Sequence, residues 1–231
     1  MRHSAIISFA AAIDSFIAST VAHKTPSVFV PSCSHSSPAS LTYSKALPNL
    51  TDFPLTQVDL CYTDSFLDLT LTAYNETSFF YNASQGTNDL IFEYEAMEAF
   101  LARGTEDSVT YFEFEVNPNN VTLQTFVYNP SKRRAPGTPF DHFVVPDPFT
   151  DKILATTKLD RPGQTWTSKV QIPLGLFNVE RGKARGTEWR MNFFRTVTSP
   201  ALFPAQVMAA WSPPDVADFH VTAAFGHLKF T

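Results

Sequence analysis

The chain has 231 residues, 44% of them hydrophobic and 14% aromatic, proportions that suit a globular domain with one sizeable core and exclude a disordered chain. Its formal charge is -5, and its single basic run, "KRR" at Lys132 to Arg134, reads as a solvated loop. Phosphate binding needs clustered Lys and Arg, so no nucleic-acid partner is expected.

The first 22 residues place Arg2 and His3 before an apolar stretch and finish on the small residues Thr20 and Ala22. That is the layout of a secretory signal cleaved after Ala22. No later run is long and apolar enough to cross a bilayer as a helix, so no membrane partner is expected. Residues 23–48 are rich in Ser, Thr and Pro and read as a loosely ordered lead-in with one strand at "SVFVPSC". The folded domain is assigned to residues 49–231.

The two cysteines, Cys33 and Cys61, can form one bridge in an oxidising compartment, the alternative being two buried thiols. Closing that loop would stabilise the fold by roughly 3–4 kcal/mol in the chain-entropy picture. Asn49, Asn75, Asn82 and Asn120 each open an N-x-[ST] sequon, whereas Asn129 precedes Pro130 and is disqualified. These features point together to a secreted, extracellular glycoprotein.

From Phe66 onward, period-two alternation dominates. "FLDLTLTAY" sets Leu67, Leu69, Leu71 and Ala73 on one face and Asp68, Thr70 and Thr72 on the other. "YEAMEAFLA" favours helix on propensity alone. "YFEFEVN" points Phe112, Phe114 and Val116 inward and Tyr111, Glu113 and Glu115 outward, and pairs with "VTLQTFVYN" as a hairpin. "TWTSKVQIPLGLF", "EWRMNFFRTV" and "FGHLKF" supply further strands, with Trp166 and Trp189 in the core. Strands at this density predict an all-β fold, an antiparallel β-sandwich or jelly roll, with a barrel as the second choice.

The runs "EWRMNFFRT" and "AAWSPPDVADFHVTAAFGHLKF", preceded in order by "NDLIFEYEAMEAF", "YFEFEVNP" and "TWTSKVQIPLGLF", resemble family 9 carbohydrate-binding modules over about Leu67 to Phe230. Thr222 stands where that pattern has proline. The resemblance implies a jelly-roll sandwich that clamps a sugar between two aromatic rings and performs no chemistry itself. It makes "YEAMEAFLA" a strand, places the rings at Phe92 and Phe219, and sets the acidic partner at Glu98. Asn192 is then a rim group, with Arg195 and Trp211 as further candidates and His220 as an anchor of the final turn.

A pyranose presents C–H groups on its faces and hydroxyls around its rim, so aromatic plates with polar edges suit it. Two fully available rings would contribute roughly 4–5 kcal/mol before ordering costs. No catalytic residue, metal ligand or cofactor is assigned, although the family's structural calcium makes an acidic set of Glu93, Glu95, Glu98, Glu113 and Glu115 a place to look. Two other readings stay open: a glycoside hydrolase using Glu113 and Glu115, and a haem-binding relative ligated by Met97, Met191 or Met208 with a histidine. The expected partner is an oligo- or polysaccharide, with a separate glycoside hydrolase as the enzyme such a module would assist.

Overall fold

The computed structural model describes residues 25–34 and 37–231, so the secretory signal expected at residues 1–22 lies outside the described residues. In chain order the strands are β1 Ser27–Val30, β2 Ala39–Ala46, β3 Thr51–Tyr62, β4 Phe66–Ala73, β5 Ala96–Arg103, β6 Thr110–Val116, β7 Thr122–Tyr128, β8 Asp141–Val144, β9 Leu154–Asp160, β10 Thr165–Pro173, β11 Glu188–Val197, β12 Val207–Ala210 and β13 Gly226–Phe230.

Two antiparallel layers face each other. The front layer runs β8-β7-β6-β5-β11, and the back layer runs β2-β3-β4-β10-β9. A single register pair, Ala209 to Ala46, carries β12 from one layer to the other. β13 pairs antiparallel with β11 and parallel with β1.

Alternation explains the packing. Val58, Leu60, Leu69, Leu71, Trp166 and Val170 from the back layer meet Ala99, Leu101, Phe112, Phe114 and Phe193 from the front, all buried. Each large apolar side chain so buried stabilises the fold by about 1.5–3 kcal/mol. Trp166 and Trp189 lie in this core as expected.

Within the lead-in, the described residues include β1 at the strand expected from "SVFVPSC" and a second strand, β2, that the sequence reading did not anticipate. Val30, Leu41, Tyr43 and Ala46 are buried, while the intervening Ser and Thr residues turn outward, so a polar composition hides a half-buried pattern. The Cys33–Cys61 disulfide, with Cα atoms 5.0 Å apart, ties the segment after β1 to β3.

"YEAMEAFLA" is largely strand, because β5 lies between β6 and β11 and both ladders override its helical propensity. A second surprise lies on the far face of the front layer. Residues 212–225 fold over it and bury Phe100, Tyr111, Phe194, Phe219 and Phe225 in a smaller cluster. The aromatic crowding near the C-terminus is therefore divided: Phe219 and Phe225 cover this face, while Phe230 and Trp211 pack with the core between the layers.

Candidate functional site

The covered face opens into a cavity of about 420 Å³, a size typical of small-ligand sites. Its floor comes from Glu98 on β5, Glu113 and Glu115 on β6, Leu123 and Thr125 on β7, and Thr196 on β11. Loops form the walls. Asn88, Leu90 and Phe92 come from the β4–β5 connection, Arg134, Phe140 and His142 reach in around β7 and β8, and Gln206, Met208 and Ala217 to His220 close the other side.

Local hydrogen bonds hold the walls. Phe92 sits on a short 3-10 turn, Ile91–Glu93, anchored by buried Ile91, and the Gln206 amide donates to the Phe92 and Tyr94 carbonyls at 2.6 and 3.1 Å. Phe92 remains 42% exposed. Phe219 lies flat on Phe194, with ring centroids 4.2 Å apart. Only 7% of it is exposed, so it offers a small part of one face. His220 Nδ1 is 2.6 Å from the Tyr111 hydroxyl, and Asn129 donates to the His220 carbonyl, which fixes the final turn. Burial, then the Arg134 and His142 charges, push the His220 pKa down to about 3, so its imidazole is neutral.

The floor is unusual in its electrostatics. Glu98, Glu113 and Glu115 are all buried, and oxygens from the three lie within 4.8 Å of one another. Burial is the main cause that raises all three pKa values. Glu113 rises to about 7, held back by its contact with Glu115 and by Arg134. Glu98 and Glu115 rise well above the carboxylate range, aided by their acidic neighbours. A protonated carboxyl both donates and accepts, which suits an uncharged hydroxylated ligand.

No protein-family model matches the sequence. An extracellular protein of Arthroderma benhamiae is 47% identical over 219 residues, covering 95% of this chain and 96% of that one. The chain belongs to that protein's family. Its fold is that of the family 9 carbohydrate-binding modules. A module of that family from Caldicellulosiruptor kristjanssonii, solved with glucose, superposes at a TM-score of 0.60 with 13% identity, over 89% of this chain and 95% of that one. Its cellotriose complex superposes at 0.57 with 12% identity, over 89% and 93%. A candidate carbohydrate-binding protein from Bacteroides uniformis reaches 0.66 with 17% identity, over 90% and 100%.

Within this family 9-like domain, the structure brings Phe92, Glu98 and Phe219 to one cavity and takes three other candidates away from it. Asn192 shares the cavity's sheet face, but its Nδ2 donates to the Ser212 carbonyl at 2.7 Å and its Oδ1 accepts from the Ser212 and Phe193 amides. It is an anchor for the turn after Trp211, not a rim group. Arg195 projects from the opposite face into the space between the layers, fully buried, where it meets Glu76 at 2.8 Å and the Leu55 and Tyr74 carbonyls. Trp211 lies against the ring of Phe193 and covers Gly226, where a Cβ would run into the indole. None of these three lines the cavity.

The acidic set divides as well. Glu93 is exposed, and Glu95 lies apart, accepting from the Phe80 amide at 2.7 Å. Arg134, read as solvated, is exposed yet stands over the Phe140 ring at 4.8 Å and lines the wall. Arg134, Phe140 and Gln206 come from irregular loops and His142 from the short edge strand β8, and no sequence pattern placed any of them at the cavity. Met97 and Met191 are sealed in the core, where neither can ligate a haem in this cavity.

Among the sequons, Asn49, Asn75 and Asn120 are exposed and Asn82 is half-buried. The floor's polar groups are the Glu98, Glu113 and Glu115 carboxyls and the Thr125 and Thr196 hydroxyls, oxygens of the donor type that hard cations take. Among the described residues no helix is long and apolar enough to cross a membrane.

Proposed function

We propose that this domain is a secreted, non-catalytic module that binds a glucan- or xylan-type glycan, seating a sugar unit in the cavity lined by Phe92, Phe219 and Glu98. The observation that carries the reading is the convergence of aromatic faces and unpaired carboxyls in one open cavity. The glucose and cellotriose held by the family 9 neighbour, and the extracellular name of the fungal relative, support it. So does the disulfide, since such bonds persist in oxidising compartments. A separate glycoside hydrolase is the partner this module would assist.

Because Phe219 is mostly covered, Phe92 supplies most of the newly buried apolar area. Affinity then falls at the weak end, with a Kd of about 0.1–1 mM once ordering costs are subtracted. Calorimetry with glucose, cellotriose and xylotriose tests this. Phe92→Ala is expected to weaken binding about tenfold, roughly 1.4 kcal/mol, with melting unchanged. An absence of binding to all three sugars, or equal binding by folded Phe92→Ala, overturns the reading.

Turnover of the glycan separates module from hydrolase. No release of reducing sugar from xylan or glucan is expected.

A further inference from the structure

We propose that Phe80, Tyr94 and Phe203 form a second sugar-binding plate outside the cavity, on which a glycan chain seated at Phe92 continues for further units. The proposal rests on the cavity reading given above and extends it from one sugar unit to a chain.

Tyr94 and Phe203 lie nearly parallel, with ring centroids 4.9 Å apart and 12° between their planes. Phe80 meets both edge-on, at 5.3 and 5.9 Å. None of the three belongs to either buried cluster of the core. Phe80 and Tyr94 are half-buried, while Phe203 is 40% exposed and its neighbour Leu202 54%. Because Tyr94 covers one face of the Phe203 ring, what remains open is the other face and the edge. Apolar side chains exposed singly need no explanation, whereas rings gathered into one patch call for an occupant.

The patch is held in place by the fold. Fully buried Glu95 accepts from the Phe80 amide at 2.7 Å and from the Thr198 amide at 3.4 Å, which joins the two segments that carry the rings. The Thr198 hydroxyl donates to the Ala205 carbonyl at 2.7 Å and closes the loop around Phe203. Rings fixed before a ligand arrives lose little freedom when it lands, and that favours affinity.

Continuity with the cavity decides the occupant. Phe92 lines the cavity, and Tyr94 follows two residues later. Gln206 lines it too, and its amide donates to both carbonyls, at 2.6 Å to Phe92 and 3.1 Å to Tyr94. The rim of the cavity and the edge of the plate are therefore tied through one side chain. At about 420 Å³ the cavity has the size of a small-ligand site, so a longer glycan has to leave it across a rim. None of the three rings carries a charge, and the Tyr94 hydroxyl gives the plate a polar edge. Such a surface suits the C–H faces and hydroxyl rims of neutral sugars.

The test is calorimetry on the intact chain with glucose, cellotriose and cellohexaose, and with xylotriose and xylohexaose in parallel. Wild type is expected to bind one of the hexaoses at least about fivefold more tightly than its triose, the gain a second stacking surface leaves after ordering costs. Phe203→Ala is expected to lose that gain, with the ratio of hexaose to triose affinity as the readout. Phe203→Leu keeps apolar bulk against Tyr94 without the flat face; it is expected to show the same loss and serves where Phe203→Ala does not fold. Phe203→Tyr is expected to retain the gain. Binding of glucose and triose with no gain in length overturns the plate and leaves the cavity reading standing, whereas no binding at any length overturns both. A gain kept by folded Phe203→Ala or Phe203→Leu also overturns the plate. So does sedimentation showing that Phe203→Ala splits a wild-type dimer, since the patch would then hold a second copy of the chain.

Discussion

Polar side chains inside a strand serve either a ligand or the fold, and their partners decide which. Asn192 and Arg195 belong to the fold. Asn192→Ala would leave the Ser212 amide and carbonyl unpaired in a buried place, at a cost of about 1–3 kcal/mol. Arg195→Ala would strand the fully buried Glu76 carboxylate, and breaking such a pair costs about 3–5 kcal/mol. Urea denaturation of both variants checks these magnitudes. Sugar affinity of the folded fraction is expected to stay within about twofold of wild type, because neither side chain reaches the cavity. A larger loss of affinity in either variant would return that residue to the rim. The sequence alone could not separate these roles, since Asn192 meets its partner 20 residues away and Arg195 meets its partner 119 residues away. The shared position of Phe92, Glu98 and Phe219 at one cavity was legible because an ordered set of motifs fixes their place on strands and turns.

Strands with large apolar residues at every second position were readable from sequence. β4, β6, β10 and β11 each bury such a set against the opposite layer. β2 and β9 were not, because their inward or half-covered positions alternate with Ser, Thr and Lys in stretches of low hydrophobicity. β3 was obscured by Pro54 in its early part, and β8 is four exposed residues on the edge of its layer. The N-terminal segment is the element where this matters most for stability. Its β1 adds a parallel strand to β13, and the disulfide closes a loop of 28 residues between Cys33 and Cys61. Replacing both cysteines by alanine is expected to cost about 3–4 kcal/mol, read as a lower urea midpoint with an unchanged m-value. A loss under about 1 kcal/mol would mean that the segment's packing on β3 and β13 alone holds it.

At the scale of the whole molecule, buried acids make stability depend on pH in an uncommon direction. Glu95 is fully buried, and burial first, then the neighbouring Glu76, raise its pKa to about 8. Its folded value exceeds its unfolded one, so the native state holds the extra proton. Its contribution is complete below about pH 4.5 and is lost as pH rises towards 8. His220 has the opposite sign: with a folded pKa near 3 it favours the native state increasingly as pH rises from about 3 to 6.5, and is neutral in both states above that. The two effects oppose each other in acid, which leaves a window above pH 6.5 where the acids alone act. Between pH 6.5 and 8.5, Glu95 accounts for a loss on the order of 2 kcal/mol, since each pKa unit is worth about 1.4 kcal/mol. For a domain of this size that lowers Tm by about 4–8 °C. Calorimetric scans are expected to show this fall in wild type and a shallower one in Glu95→Gln. Glu95→Gln also sacrifices one of the acceptors for the Phe80 and Thr198 amides, so the slope against pH is the readout and the absolute Tm is not. A wild-type Tm that is flat or rising across this window would mean that Glu95 is ionised in the native state and held so by those two amides.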